Sequence, residues 1–141
     1  MTTHSSPTAE FLGGADAIGA STGNLREAVR QGLPYAALTA VAHSLDVNVD
    51  VVLRLIDLSE RTHQRRKGKM LTPAESDRLA RVARIGAHVT RVLRDRATVR
   101  TWLSRPNVAL GGERPLDLLD TDLGASEVES VLHRIEYGVF S

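Results

Sequence analysis

The sequence contains no cysteine, which excludes disulfides, thiolate catalysis and cysteine-ligated zinc. Aromatic residues make up only 4% of it, so a core must be built mostly from Leu, Val, Ala and Ile. No run approaches the roughly 18 apolar residues that a membrane span needs. No basic residue precedes Arg26, so a secretory signal is not expected. A reducing, cytoplasmic setting fits these absences. The 141 residues suffice for one compact domain or two very small ones. A hydrophobic share of 42% and a charged share of 25% are ordinary for a globular chain.

Catalytic signatures are equally scarce. Gly19, Ser21 and Gly23 spell G-x-S-x-G, but a nucleophile elbow needs a strand before it, a helix after it and a large sheet. Gly14 and Gly19 have the spacing of a phosphate-binding loop, but Ala20 stands where that loop needs its lysine. His4, His43, His63, His88 and His133 are scattered, and none pairs with a carboxylate or another His at convincing metal-ligand spacing. The expectation is a protein that is not an enzyme and uses neither a metal nor a cofactor.

Charge is more informative. The formal net charge is only +1, yet residues 1–53 hold two basic and five acidic groups, residues 54–105 fourteen and five, and residues 106–141 two and seven. A basic middle between acidic ends suggests a polyanion-binding surface and a separate surface of another kind. Sixteen of the eighteen basic residues are Arg, whose planar fork of donors matches phosphates and guanine edges. The competing explanation is a solvated helical face.

Residues 1–23 are rich in Ser, Thr, Gly and Ala without a sustained period, and read as a flexible leader. From Leu25 onward the pattern is helical. Leu38, Val41, Ala42 and Leu45 share a face, with Pro34 ahead and Asp46 at the end. Val47, Val49 and Val51 alternate like a strand, but Val49, Val52, Leu53 and Ile56 fit one helical face, which is preferred. Asp57 and Leu58 make a turn, Ser59 caps the next helix and Gly68 stops it. Thr72, Pro73 and Glu75 form a capping-box signature. It opens a long helix with Leu79, Val82, Gly86, Val89 and Leu93 on one face. A further helix carries Val99, Trp102 and Leu103 and ends near Pro106. Gly111 and Gly112 turn the chain, and Pro115 opens a short helix. A last helix presents Val128, Val131, Leu132 and Ile135, with Ser126 and Glu129 as its capping box and Gly138 as its stop.

The segment from Val49 through the turn at Asp57 to the basic helix has the lengths of a helix-turn-helix. Such a second helix lies in the major groove. Arg61, Gln64 and Arg65 are expected to meet bases, with Ser59, Arg66 and Lys67 on phosphate and Thr62 beside them. A plain two-helix corner with a solvated basic face is the alternative.

Ser59-Glu60-Arg61-Thr62-His63-Gln64-Arg65-Arg66 followed by Leu71-Thr72-Pro73-Ala74-Glu75 resembles the central region of Xre/MbcA/ParS-type antitoxins. Trp102-Leu103-Ser104-Arg105-Pro106-Asn107-Val108-Ala109-Leu110-Gly111-Gly112 resembles the opening of that family's toxin-binding domain. Pro115-Leu116-Asp117-Leu118-Leu119, Thr121, Gly124, Val128, Leu132 and Gly138 resemble its remainder. Together these cover residues 34–141. Two positions depart from the pattern: His63 replaces an apolar residue on the buried side of its helix, and Arg114 replaces a small hydroxyl cap.

The resemblance implies an all-α protein. A helix-turn-helix DNA-binding and dimerisation domain over 24–94 would precede a small helical toxin-binding domain over 95–141. It implies a homodimeric antitoxin whose partners are a RES-domain toxin and operator DNA. That toxin would consume NAD or use it to modify proteins, and the antitoxin would occlude it and repress its own operon. Toxin binding would fall to Asn107, Gly111, Gly112, Glu136, Tyr137, Val139, Phe140 and Ser141. The apolar Val139 and Phe140 suit a pocket plug, or alternatively pack on their own helix. The competing function is a stand-alone transcriptional regulator whose C-terminal domain only dimerises.

Overall fold

A computed structural model describes residues 6–19, 24–66 and 68–138. The described residues are helical, with no strand beyond two isolated bridges, Pro34 with Met70 and Asn107 with Glu113. The helices are α1 (Pro7–Phe11), α2 (Leu25–Gln31), α3 (Ala36–Leu45), α4 (Val49–Leu55), α5 (Glu60–Arg65), α6 (Pro73–Leu93), α7 (Arg96–Ser104) and α8 (Asp122–Tyr137). Short 3-10 turns at Val108–Leu110 and Pro115–Asp120 join α7 to α8. No single described helix is long and apolar enough to cross a membrane.

The long helix α6 is the axis of the fold. Its start is fixed locally. Thr72 Oγ1 accepts from the Glu75 amide at 3.1 Å, and the Glu75 carboxylate accepts from the Thr72 amide at 2.9 Å. Pro73 has no amide hydrogen to leave unpaired at the first helical position. Leu79, Val82, Ile85 and Val89 are fully buried on α6, beneath α1, α2, α3, α7 and α8. One continuous core therefore runs across the expected boundary at residue 94.

The expected leader is corrected over its described part. Ser6 caps a helix that opens at Pro7, and Ala9, Phe11, Leu12 and Ile18 are buried. Phe11 lies over α6 at Gly86, where an added Cβ would stand 2.6 Å from the ring. Five residues are too few to show a helical period, so this element was invisible in the sequence. Residues 1–5 and 20–23, including most of the G-x-S-x-G string, lie outside the described residues.

The last helix also starts differently from expectation. Thr121, not Ser126, is its N-cap, and its Oγ1 accepts from the Gly124 amide at 3.0 Å. Gly138 ends the helix in a left-handed conformation, as expected. Arg114 supplies no side-chain cap to the 115–120 turn. Its guanidinium instead pairs with Asp117 at 2.7 Å.

Candidate nucleic-acid and partner interfaces

The helix-turn-helix forms from local signals. Asp57 turns the chain at φ +57°, and the Leu58 amide donates to the Leu53 carbonyl at 2.9 Å. Leu58 is buried, which anchors the turn on the core. Ser59 Oγ accepts from the Thr62 amide at 3.1 Å and so caps α5. The Ser59 hydroxyl also donates to Thr62 Oγ1 at 2.9 Å, so these two hydroxyls hold the helix start.

Arg61, Gln64 and Arg65 are all exposed on α5. Arg61 and Arg65 make no ion pair among the described residues. Gln64 donates to Glu60 at 2.8 Å, a contact that a base edge would have to replace. Arg66 differs from its expected phosphate role. Its guanidinium forms a two-point pair with Glu75, one limb at 3.3 Å, and lies 5.8 Å over the Tyr35 ring. That arginine ties α5 to the capping box of α6. Lys67 lies outside the described residues.

Burial alone would raise the Glu75 carboxyl pKa, but the Arg66 hydrogen bond and the Thr72 amide outweigh it, and the balance lies below the ordinary value of 4.5. Glu75 therefore binds its proton less readily folded than unfolded. Its stabilisation is complete above the unfolded value and fades as pH falls through the folded one. Glu75→Gln is expected to cost about 2 kcal/mol at neutral pH, the scale of a hydrogen bond to a charged group. The gap in melting temperature between parent and variant should narrow as pH falls below the ordinary carboxyl value of 4.5.

His63 confirms in geometry the departure noted above. Its ring stacks on Tyr35, with centroids 5.4 Å apart, and its Nδ1 is buried without a hydrogen-bond partner. A buried unpaired ring nitrogen costs roughly 1–3 kcal/mol. His63→Leu is therefore expected to raise the melting temperature by a few degrees, allowing for the lost stack. A lower melting temperature would show that the stack outweighs the orphaned nitrogen.

The C-terminal half offers a different chemistry. Asn107 Oδ1 accepts from the Ala109 amide at 2.9 Å, and the Asn107 amide donates to the Glu113 carbonyl at 2.9 Å. Gly111 and Gly112, at φ +66° and +84°, close this loop. Left-handed conformations there favour glycine. Asn107, Gly111 and Gly112 thus shape the loop rather than project side chains from it. What the loop projects is Val108, which is 95% exposed. Leu123, on the first turn of α8, is 79% exposed, and Tyr137, on its last, 69%. Sequence reasoning missed Val108 and Leu123. An apolar residue inside a glycine-closed loop was the available signal for Val108.

Glu136 receives a hydrogen bond from Arg91 at 3.3 Å and lies 3.2 Å from His88 Nε2. Those two contacts, His88 first, hold its carboxyl below the usual range. The structure also gathers His88, His133 and Glu136, whose histidines are scattered along the sequence: their ligand atoms all lie within 4.8 Å of one another. Val139, Phe140 and Ser141 lie outside the described residues.

An arginine-bearing second helix on a buried turn, followed by a small helical unit with exposed apolar residues, defines a helix-turn-helix protein with an appended binding domain. The comparisons make this specific. The family model for the antitoxin Xre-like helix-turn-helix domain matches residues 25–84. The family model for the antitoxin Xre/MbcA/ParS C-terminal toxin-binding domain matches residues 88–138. A protein named Antitoxin Xre from Photorhabdus laumondii is 31% identical over 122 residues, covering 84% of this chain and 82% of that protein. A second Antitoxin Xre, from Yersinia enterocolitica, is 32% identical over 120 residues, covering 83% and 81%. A protein from Sphingobium named Prs ADP-ribosylating antitoxin is 24% identical over 124 residues, covering 80% and 78%. The chain belongs to the Xre antitoxin family.

Proposed function

We propose that this antitoxin binds a RES-domain toxin that consumes NAD or transfers ADP-ribose. The last turn of α8 and residues 139–141 cover the entrance to the toxin's active site. The same chain, as a homodimer and together with the toxin, binds operator DNA through α5 and represses its own operon. Arg61, Gln64 and Arg65 read bases, while Ser59, Thr62 and Lys67 lie along the phosphates. Arg66 serves this surface indirectly by fixing α5 on α6.

The observation that carries the toxin-binding reading is the exposure of Val108, Leu123 and Tyr137 on the acidic C-terminal half. Exposed apolar side chains mark a partner surface where they join in one patch, and Val108, Leu123 and Tyr137 are the large apolar side chains that this half leaves in water. A pocket that binds the NAD pyrophosphate presents cationic side chains or backbone N–H groups, and a carboxylate-bearing cover complements either. The relative named as an ADP-ribosylating antitoxin supports the same chemistry. Asn107, Gly111 and Gly112 contribute by holding Val108 outward, and Glu136 and Tyr137 by lying beside the plug.

Deleting residues 139–141 is the direct test. The truncated chain should melt at the parent temperature yet fail to rescue cells expressing the toxin. Full rescue would reject occlusion by these residues and favour a regulator whose C-terminal domain serves dimerisation alone.

A further inference from the structure

We propose that His88, His133 and Glu136 form a site for a divalent transition-metal ion, zinc(II) foremost, that ties the end of α6 to the last turns of α8. The three ligand atoms lie within 4.8 Å of one another, and His88 Nε2 is already 3.2 Å from Glu136 Oε1. Zinc binds nitrogen and oxygen at about 2.0–2.2 Å in a tetrahedron, so neighbouring ligand atoms stand about 3.4 Å apart. The ligand atoms, now within 4.8 Å of one another, would close to that value on binding.

The backbone is in place before any ion arrives. His133 and Glu136 are three residues apart on α8 and therefore share a face. His88 comes from α6, and the two helices pack directly against each other. The His88 ring is 6% exposed and edge-on to His133, with centroids 5.0 Å apart. His133 and Glu136 face solvent, which gives an ion its entry and leaves a fourth position for water. Two imidazoles and one carboxylate suit zinc, nickel, copper or cobalt, whereas calcium and magnesium demand oxygen. Glu136 is already turned toward a cation, the Arg91 guanidinium. That side chain is mostly exposed and free to swing away.

The site has a consequence for the end of α8. Tyr137 stacks on the His133 ring, 5.9 Å between centroids and 7° between planes. An ion that fixes the His133 rotamer also fixes Tyr137, at the end of the helix that leads into residues 139–141. The site thus sets the stiffness of the surface next to the plug, although the proposal does not depend on any toxin being bound.

The test uses the full chain, without a histidine tag, at neutral pH. Zinc(II) is titrated by calorimetry and by thermal melting, and cobalt(II) is followed by its visible absorption. The expected result is one zinc per chain. At about 100 times the dissociation constant, the melting temperature should rise by several degrees. Magnesium at the same concentration should do nothing, and cobalt should show the intense bands of a tetrahedral site. His133→Ala, which also loses the stack on Tyr137, should show a smaller zinc-dependent rise in melting temperature and bind zinc at least about tenfold more weakly. His43→Ala, at an exposed histidine away from the cluster, should bind like the parent. The proposal is overturned if zinc neither binds nor raises the melting temperature. It is equally overturned if His133→Ala keeps the parent affinity, or if His43→Ala loses as much.

Discussion

Replacing Arg61 and Arg65 together by alanine is expected to weaken operator binding by two to three orders of magnitude. Each bidentate contact with a base contributes roughly 1–3 kcal/mol of discrimination, and about 1.4 kcal/mol is tenfold in affinity. Both side chains are exposed and make no ion pair among the described residues, so the fold loses nothing and the melting temperature should hold. Their freedom contrasts with Arg66, which is held by Glu75. Arg66→Ala should therefore lower stability and DNA binding together. The double variant separates the two effects, because only binding should fall. Parental binding by Arg61→Ala/Arg65→Ala, measured by fluorescence anisotropy across a salt series, would remove α5 from the interface. If either arginine contacts phosphate instead of a base, the loss comes with a shallower dependence on salt.

The second large effect lies in the toxin-binding half. Gly124→Ala is expected to destabilise the chain by about 3 kcal/mol, although alanine favours a helix over glycine by about 1 kcal/mol elsewhere. A Cβ on Gly124 would stand 2.1 Å from the Leu118 carbonyl oxygen and 2.9 Å from its carbon. Those are backbone atoms of the turn that packs on α8, and they cannot rotate aside. Either the 115–120 turn or the first turn of α8 must move. Leu119, Ala125 and Val128, all fully buried, would move with them. Differential scanning calorimetry should show the loss, and a pull-down should show toxin binding falling with it. An unchanged melting temperature would mean that the junction between turn and helix is softer than its packing indicates.

Where local chemistry carried the signal, the fold was legible from sequence. Thr72-Pro73-x-Glu75 set the start of α6, and Ser59 set the start of α5, because a cap is a property of adjacent residues. The turn at Asp57 followed from the lengths on either side. Where the cause is tertiary, legibility failed. The helix α1 has five residues and owes its burial to Phe11 lying on Gly86, 75 positions away. The apolar period of α8 begins at Val128 and points to Ser126 as its cap. The true cap, Thr121, precedes a turn whose glycine is explained only by the approach of Leu118.

The sites divide in the same way. The exposure of Arg61, Gln64 and Arg65 was legible because it follows from the period of a short capped helix. The engagement of Arg66 was not, since its partner already had a complete local role in the capping box. His88 and Glu136 are 48 residues apart and meet only because α6 and α8 pack together.

The proposed function requires the C-terminal half to silence an enzyme by covering it, independently of DNA. The most direct measurement is NAD turnover by the purified toxin as this chain is titrated in. The prediction is that turnover falls to background at a fixed molar ratio, and that Arg61→Ala/Arg65→Ala gives the same curve as the parent without DNA present. Undiminished turnover in a complex that has demonstrably formed would contradict it.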